Sequence, residues 1–294
     1  MTRYRLEHET VYEYAEPVAV SHNELRIVPR TLPHQRLASI AMSIDPVPET
    51  VAGRRDYFGN DVLFFALGEP HARLAIKATS EVDRGPAPPL DADASPPWEK
   101  VAAAVRRELG PAWLEALELV FPSPFAPVAP ELADYARPSF PAGRPVVAGF
   151  ADLCSRIHRE FTYDPEATSL STPVLAVLRD RRGVCQDFAH LTIGCLRSLG
   201  LPARYVSGYV RTRRPDAKAD AELVGSEASH AWVAIFCPER GWIVVDPTTD
   251  VAASDRHVTL AFGRDYDDVS PVKGVTVGGG TQRLEVRVEL LEAR

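Results

Sequence analysis

The sequence predicts an α+β domain preceded by a small β-sandwich. Apolar and polar residues alternate with period two in short runs through the first eighty or so residues, which is typical of strands with one buried face. In the second half, apolar residues recur at helical spacing and then give way to further strands. Helices followed by antiparallel strands are the pattern of an α+β fold. With 294 residues the chain is long enough for two domains.

The strand pattern is most regular in residues 1–84. The alternation is clear in YRLEHETVYEY at the start and in DVLFFAL further on. The DYFGN segment lies between two such runs and places Gly59 and Asn60 at a hairpin turn. Regularly spaced short strands without helical periodicity favour a β-sandwich, so we assign residues 1–84 to one domain.

Residues 85–144 differ in composition from the regions on either side. The segment RGPAPPLDADASPP is rich in proline and alanine and predicts an extended linker. The segments WEKVAAAVRREL, WLEALELV and PELADYA have helical patterns and are separated by prolines, which stop helices. We therefore interpret residues 85–144 as a proline-rich linker with short helices.

Residues 145–294 are predicted to form the α+β core. Helical spacing is present in VVAGFADLCSRIHREFTY and in PVLAVLRDRRG, which Gly183 is expected to close. A further helix follows RGVC, and then the strands ARYVSGYV, SHAWVAIFC and GWIVVD. The segment QRLEVRVELL predicts a C-terminal strand, but the sequence does not name its partner.

Composition and charge limit the partners of the protein. The hydrophobic content of 45% and the charged content of 25% are ordinary globular values. A net charge of −7 argues against nucleic acid, and we interpret RTRR at residues 211–214 as a solvated loop. No run approaches the roughly 18 apolar residues of a membrane helix, and the first ten residues lack the apolar region of a signal peptide. We expect a cytoplasmic protein without nucleic-acid or membrane partners; its oligomeric state is unknown.

Cys185 is placed unusually for a cysteine, at a turn in RGVCQDFAH just before a predicted helix. The other three, Cys154, Cys195 and Cys237, are too scattered to suggest a disulfide framework, so we expect four free thiols. A helix N-terminus favours a thiolate, and its unpaired backbone N–H groups can hold an oxyanion. Cys185 is therefore either a nucleophile or a small core residue.

A nucleophilic Cys185 needs a base. His190 is unsuitable because five helical residues turn it away from Cys185, so we expect it to pack or to make a structural hydrogen bond. SHAWVAIFCPERGWIVVDPTTD predicts a hairpin, and if Pro238 is at its centre, His230 lies opposite Asp246. A register shift of two residues would leave His230 and Asp246 as diagonal neighbours on one face of the sheet, whereas a shift of one residue would place them on opposite faces. An imidazole held by a carboxylate is half of a catalytic triad, and the alternative is a solvent-exposed pair.

Two further kinds of site were considered from the residues. Cys154 and His158 are four residues apart on one face of a predicted helix, but no C-x-x-C pair accompanies them, so we do not predict a metal. Trp232 shares a strand face with His230, and Tyr209 lies on a strand face in RYVSGY. We predict that Trp232 and Tyr209 line a substrate groove.

Four motifs in one order, RGVCQDFAH, GLPARYVSGYV, SHAWVAIF and GWIVVDPT, resemble the core of the transglutaminase-like superfamily. The opening residues, the DYFGN turn and GRDYDDVSPVKGV resemble a bacterial branch with a β-sandwich before that core. The resemblance covers about two thirds of the chain and misses the proline-rich middle. It implies a papain-like cysteine-protease core with Cys185 as nucleophile, His230 as base and Asp246 as orienting carboxylate. Tyr163 is a candidate for the family's second oxyanion donor.

The resemblance and the residues together predict cysteine-dependent acyl transfer on peptide or protein amides through a thioester. Water would make the protein a peptidase or amidase, and an amine would make it a transglutaminase. This chemistry requires no metal or organic cofactor. The alternative is a non-catalytic protein-binding module on the same fold, since fold alone does not establish activity.

Overall fold

The structure, a computed structural model, describes residues 1–86, 90–211 and 229–293. Part of the predicted linker (87–89) and the last three residues of the RTRR segment (212–214) lie outside the described residues. The helices are α1 (Trp98–Ala104), α2 (Pro111–Glu118), α3 (Pro130–Ala136), α4 (Val146–Glu160), α5 (Val174–Asp180), α6 (Cys185–Ser198) and α7 (Tyr266–Val269), with a 3₁₀ turn at Arg137–Ser139. The strands are β1 (Thr2–Leu25), β2 (Gln35–Asp45), β3 (Val51–Arg55), β4 (Asp61–Leu67), β5 (His71–Arg84), β6 (Thr162–Tyr163), β7 (Arg182–Gly183), β8 (Ala203–Val210), β9 (Ser229–Cys237), β10 (Gly241–Asp246), β11 (Val251–Ala252), β12 (His257–Gly263), β13 (Val272–Gly278) and β14 (Gln282–Glu292).

The N-terminal region is built around the long strand β1. The first part of β1 pairs with β5 and β14, and its last part pairs with β4 and β13. Pro17 lies where the pairing changes. Proline has no backbone N–H and therefore cannot donate a hydrogen bond to a neighbouring strand. The strands of both parts share one apolar cluster that includes Leu25, Phe65 and Ile76. The N-terminal region is therefore β-rich, and its described strands belong to one hydrogen-bonded sheet.

The last two strands, β13 and β14, lie in the N-terminal sheet and not with the core to which we assigned them. Both pair antiparallel with β1, in registers that run from Val18↔Gly278 and from Tyr4↔Glu292. This corrects the assignment of the C-terminal strand to residues 145–294. The reason is that an alternating pattern specifies the buried face of a strand and not its neighbour. The boundaries near residues 84 and 144 stay predictions.

The core is a sheet in the order β11-β10-β9-β8-β12 within the described residues, covered on one face by helices. Phe150 of α4, Phe188 of α6 and Val233 of β9 are fully buried in one apolar cluster. Burial of each such side chain contributes roughly 1.5–3 kcal/mol relative to exposure. Val101 of α1 and Leu132 of α3 join the same cluster, so the three helices predicted between residues 85 and 144 pack on the core.

Two buried amides connect the N-terminal region to the core. Gln35 donates to the Thr259 carbonyl at 2.7 Å and accepts from the Thr259 N–H at 2.8 Å. Asn60 makes the same pair of hydrogen bonds with the backbone of Phe262, both at 2.8 Å. Each amide thus satisfies a buried peptide group of β12, which would be costly to leave unpaired. Among the described helices, none is long and apolar enough to cross a membrane.

Candidate active site

A tight turn delivers the chain to Cys185. α5 ends at Asp180, and Arg181 adopts a left-handed conformation with φ of 54°. Gly183 lies in the short strand β7, where it pairs with Tyr163 of β6. The expectation that Gly183 closes α5 was therefore wrong, because Arg181 takes the left-handed C-terminal position instead.

Gly183 is required at its position by space. A Cβ atom there would lie 2.8 Å from Oδ2 of Asp187. That carboxylate accepts hydrogen bonds from the Val184 N–H at 2.9 Å and from the Thr168 hydroxyl at 2.6 Å. Burial raises the pKa of Asp187, with these hydrogen bonds opposing it. Asp187 therefore fixes the first turn of α6.

Cys185 is the first residue of α6, so its backbone N–H has no acceptor within the helix. All four cysteines are described and free, and Cys185 alone among them is partly exposed. Burial raises the pKa of Cys154 and of Cys195. Cys185 is thus the accessible thiol, and the others behave as core residues.

His230 and Asp246 form a close pair. The Nε2 atom of His230 lies 2.8 Å from Oδ2 of Asp246, and both side chains are buried. β9 and β10 pair with Val233 opposite Val245 and Gly241 opposite Cys237. The hairpin is therefore centred on Glu239. Each residue of β9 is paired with a residue two positions further along the chain than the predicted register requires. His230 and Asp246 keep the same face because the displacement is even.

Cys185 lies close enough to His230 for its charge and hydrogen-bonding capacity to raise the pKa of the imidazole. Because Nε2 of His230 is hydrogen-bonded with Asp246, Nδ1 is the ring nitrogen that remains available to the sulfur of Cys185. Burial disfavours the imidazolium, but the charge of Cys185 and the hydrogen bond with Asp246 outweigh it and raise the pKa of His230 to about 10. The arrangement therefore favours a protonated imidazole beside Cys185.

Asp246 is fully buried and held by several donors. The Thr248 N–H donates to Oδ1 at 2.8 Å, and the Thr249 hydroxyl donates to Oδ2. Burial opposes its ionisation, but the contacts with His230, His257 and Thr249 hold the pKa of Asp246 well below its usual range. Asp246 is therefore a fixed carboxylate hydrogen-bonded to His230.

Comparison with known proteins identifies the family of the chain. Residues 4–83 match the family described as the bacterial transglutaminase-like N-terminal region, and residues 142–247 match the transglutaminase-like superfamily. The chain belongs to the transglutaminase-like superfamily. The resemblance recognised in the sequence is thereby confirmed.

Relatives extend over nearly the whole chain. An uncharacterized protein of Mycobacterium tuberculosis is 38% identical over 93% of this chain and 87% of its own length. An uncharacterized protein of Mycobacterium leprae is 34% identical over 99% of both chains. A protein-glutamine gamma-glutamyltransferase of Pseudomonas aeruginosa is 33% identical over 43% of this chain and 19% of its own length.

A solved structure shows the same fold. It is a candidate cysteine protease from Cytophaga hutchinsonii, with a TM-score of 0.76, 20% identity, and coverage of 100% of this chain and 91% of that one. At this identity the likeness shows the fold alone. The predicted cysteine-protease-like fold of the superfamily, preceded by an N-terminal β-rich region, is confirmed.

A further residue of the transglutaminase-like core, which the sequence analysis missed, lies close to the His230–Asp246 pair. His257, at the start of β12, is buried, and its Nε2 lies 3.7 Å from Oδ2 of Asp246. No hydrogen-bond partner is present for that Nε2 among the described residues. A histidine at the first position of an otherwise apolar strand, HVTLAFG, was the signal that could have identified it.

Trp232 lies between the two histidines. Its ring centroid is 6.0 Å from that of His230 and 5.1 Å from that of His257, and the side chain is almost fully buried. A Cβ atom on Gly208 would lie 2.6 Å from the Trp232 ring, so glycine is needed there to admit the indole. Trp232 shares the face of His230, as expected, and supports the pair from the side.

Tyr209 does not line an open groove, which corrects the substrate-wall assignment. It is fully buried, and its hydroxyl hydrogen-bonds with Nδ1 of His8 in β1 at 2.6 Å. Its strand face is covered by the N-terminal region, whose docking was not visible in the sequence. Tyr163 is 46% exposed beside Gly183, with its ring 6.5 Å from that of Phe188. A role for Tyr163 in substrate or oxyanion binding stays a prediction.

The remaining histidine and cysteine assignments can be placed as well. His190 is buried, accepts a hydrogen bond from the Tyr266 N–H at 3.2 Å and stacks on Phe125, as expected of a structural residue. His158 hydrogen-bonds through Nδ1 with the Thr248 carbonyl at 2.8 Å, while Cys154 is buried in the core. Within the described residues, no group of three or more potential ligands converges on a metal position.

Proposed function

We propose that the protein is an enzyme that transfers acyl groups from peptide or protein amides through a Cys185 thioester. The observation that supports this best is the continuous contact from the accessible thiol to His230 and on to Asp246. The nucleophile, the base and the orienting carboxylate lie in that order, as in other Cys–His–acid sites. The gamma-glutamyltransferase name of the Pseudomonas relative favours the side-chain amide of glutamine as one acyl donor.

In the first half of the reaction, the Cys185 thiolate attacks the amide carbonyl and a C–S bond forms. The oxyanion that develops lies near the start of α6, where the Cys185 N–H can donate to it. Protonated His230 then gives its proton to the leaving nitrogen as the C–N bond breaks. Asp246 holds the ring in place and stabilises its positive charge throughout.

In the second half, an acceptor resolves the thioester. Neutral His230 removes a proton from water or from a primary amine, which attacks the thioester carbonyl while the thiolate of Cys185 departs. Water gives a carboxylic acid, and an amine gives a new amide. The same residues serve both outcomes, so the access of water to the intermediate decides between them.

Selective alkylation tests the site directly. At mildly acidic pH, iodoacetamide is expected to modify Cys185 well before Cys154, Cys195 and Cys237, because those three are buried. His230→Gln should slow this modification at least tenfold at that pH, while the control His22→Gln, at an exposed position, leaves the rate unchanged. Mass spectrometry of the tryptic peptides measures each rate. Equal sluggishness of all four thiols in the native protein would instead support the non-catalytic binding module.

Product analysis separates hydrolysis from transfer. The protein is incubated with a glutamine-containing peptide, with and without a fluorescent primary amine, and both ammonia release and amine incorporation are followed. Incorporation that requires Cys185 and His230 identifies a transglutaminase. Clean hydrolysis without incorporation identifies a peptidase or amidase. Neither product in the wild-type protein, over a range of peptide sequences, would contradict the proposed acyl transfer.

The compartment and partners predicted from the sequence form part of the same proposal. The enzyme acts in the cytoplasm on a peptide or protein substrate, uses no metal or organic cofactor, and has neither nucleic acid nor membrane as a partner. Fractionation of cells that express the natural protein tests the compartment. Activity that survives a strong chelator would support the metal-independent reaction, and loss that zinc restores would contradict it.

A further inference from the structure

A cavity of about 580 Å³ lies on the face of the core sheet that is turned away from α6. Val206, Trp232 and Phe262 form a small cluster on this face, whereas Val233 and Ile235, of opposite parity in β9, pack with α6. The chain segment around His34 and the end of β5 close the cavity from the N-terminal side. A concave space of this size between two regions of a protein is typical of a small-molecule site.

The charged residues that line this cavity are all basic. Arg84, Arg204 and Arg240 contribute to its wall together with His34, and among the described residues no Asp or Glu lines it. The protein as a whole has a net charge of −7, so this cluster of basic residues is a local exception. A positive lining attracts anions, especially inside a low-dielectric cavity.

Arg84 is the most unusual of these cations, because it is only 5% exposed. Its guanidinium donates to the carbonyls of His34 at 3.0 Å and Ser254 at 2.7 Å. Its Nε has no partner, and no carboxylate forms an ion pair with it among the described residues. Burial lowers the pKa of Arg84, as expected for a cation without a counter-charge at contact distance. A buried charge is ordinarily paired, so the missing partner points to an anion that binds there.

Arg204 differs from Arg84 in having its counter-charge. Its Nη1 lies 3.0 Å from the Glu115 carboxylate, and its guanidinium lies between the rings of Trp242 and Phe262, 4.2 Å and 3.8 Å from their centroids. This stack fixes the aromatic wall of the cavity. Trp232 and Trp242 both line the cavity, so an apolar group can pack beside the cationic end.

We propose that this cavity binds a carboxylate carried on an apolar, preferably aromatic, body. The carboxylate lies on Arg84, and the body packs against Trp232 and Trp242. A guanidinium suits a carboxylate because its N–H groups match the two oxygens. The proposal does not require acyl transfer at Cys185, although Trp232 borders both the cavity and the His230 ring.

Titration with matched compounds tests this site. N-acetyl-phenylalanine supplies the carboxylate and the ring, its primary amide removes the charge, and inorganic phosphate supplies charge without the ring. Two of the four tryptophans line the cavity, so binding is expected to change the intrinsic fluorescence in a saturable manner. We expect a Kd on the order of 0.1–1 mM for the acid, from the usual affinity per atom of small ligands. Calorimetry should show at least tenfold weaker binding of the amide and of phosphate.

Two variants and one control locate the site. Arg84→Met should weaken binding of the acid at least tenfold, and Arg107→Met, at an exposed position, should not change it. Ala253→Phe places a ring in the cavity wall and should abolish binding, which decides the question if Arg84→Met does not fold. Absence of saturable binding to the wild-type protein, equal binding of acid and amide, or unchanged binding in folded Arg84→Met or Ala253→Phe would each overturn the proposal.

Discussion

The Nε2 atom of His257 lies 3.7 Å from Oδ2 of Asp246, although β8 and β9 separate their strands in the core sheet. The Ser254 N–H donates to Nδ1 of His257 at 3.2 Å. Burial lowers the pKa of His257, with the charge of Asp246 opposing, so the ring is neutral at pH 7 and carries its proton on Nε2, toward Asp246. Asp246 is therefore approached by a histidine on each of two strands, and only His230 also reaches Cys185.

Removal of the His257 ring N–H that faces Asp246 is expected to leave the Asp246 carboxylate less firmly held. His257→Phe keeps a ring beside Trp232 but removes the donor, and we expect kcat/KM to fall about three- to tenfold, the effect of about 1 kcal/mol, with little change in KM. His257→Gln, whose amide can donate, should restore part of the loss. A wild-type rate in His257→Phe would show that His257 only packs.

The pKa of His230 reports the charges on either side of it. It is raised to about 10 against the opposing effect of burial, chiefly by Cys185 and Asp246. Cys185→Ser and Asp246→Asn should therefore each lower it by more than one unit, as measured by NMR of histidine-labelled protein. Asp246→Asn should also reduce kcat by a factor on the order of 10²–10⁴, since the ring loses its orientation. An unchanged His230 pKa in Cys185→Ser would contradict the influence of Cys185 on His230.

The raised pKa of His230 also predicts how the stability of the protein depends on pH. A histidine whose pKa is raised on folding stabilises the native state fully below its unfolded pKa of about 6.5. That contribution is lost as the pH rises toward about 10. The difference in unfolding free energy between the wild type and Asp246→Asn, where the replaced carboxylate is ionised throughout this range, should therefore shrink as the pH rises. Urea unfolding at pH 6 and pH 9.5 measures it, and a constant difference would contradict the assignment.

The sequence predicted the His230–Asp246 pair but not the details of its surroundings. Strand alternation specifies which residues share a face. The hairpin is centred on Glu239 and not on Pro238, but this shift in pairing is even, so His230 and Asp246 still share a face. His257 could not be found in this way, because its strand joins the sheet on the far side of β8. The partner of the final strand was hidden for the same reason. Pairings between distant segments depend on tertiary packing, which local patterns do not encode.

Gly208 is expected to tolerate no side chain. A Cβ atom there would lie 2.1 Å from the Val258 carbonyl oxygen and 2.6 Å from the Trp232 ring. Gly208→Ala should destabilise the protein by on the order of 1–3 kcal/mol and slow alkylation of Cys185, because Trp232 must move beside His230. Gly68→Ala is the matched control, since nothing lies within 4 Å of its Cβ position. Equal thermal unfolding temperatures for the two variants would contradict this account of Gly208.

His8 and Tyr209 connect β1 to β8 through a buried hydrogen bond of 2.6 Å. His8 also shares a hydrogen bond of 2.7 Å with the Thr10 hydroxyl, and burial lowers the pKa of His8 to about 4. A histidine with a lowered pKa stabilises the native state above its unfolded pKa of about 6.5, and that contribution is lost as the pH falls toward 4. Acid should therefore loosen the attachment of the N-terminal region to the core.

His8→Gln removes the titrating group and keeps a side chain that can hydrogen-bond. We expect it to be less stable than the wild type at pH 7.5, and its unfolding free energy to fall less steeply between pH 6.5 and pH 4.5, by up to about 3 kcal/mol. His190, also buried with a lowered pKa, is present in both proteins, so some acid sensitivity remains. The exposed His22→Gln should keep the wild-type slope, because its ring is not buried. Parallel slopes for His8→Gln and the wild type would show that His8 does not couple the two regions to pH.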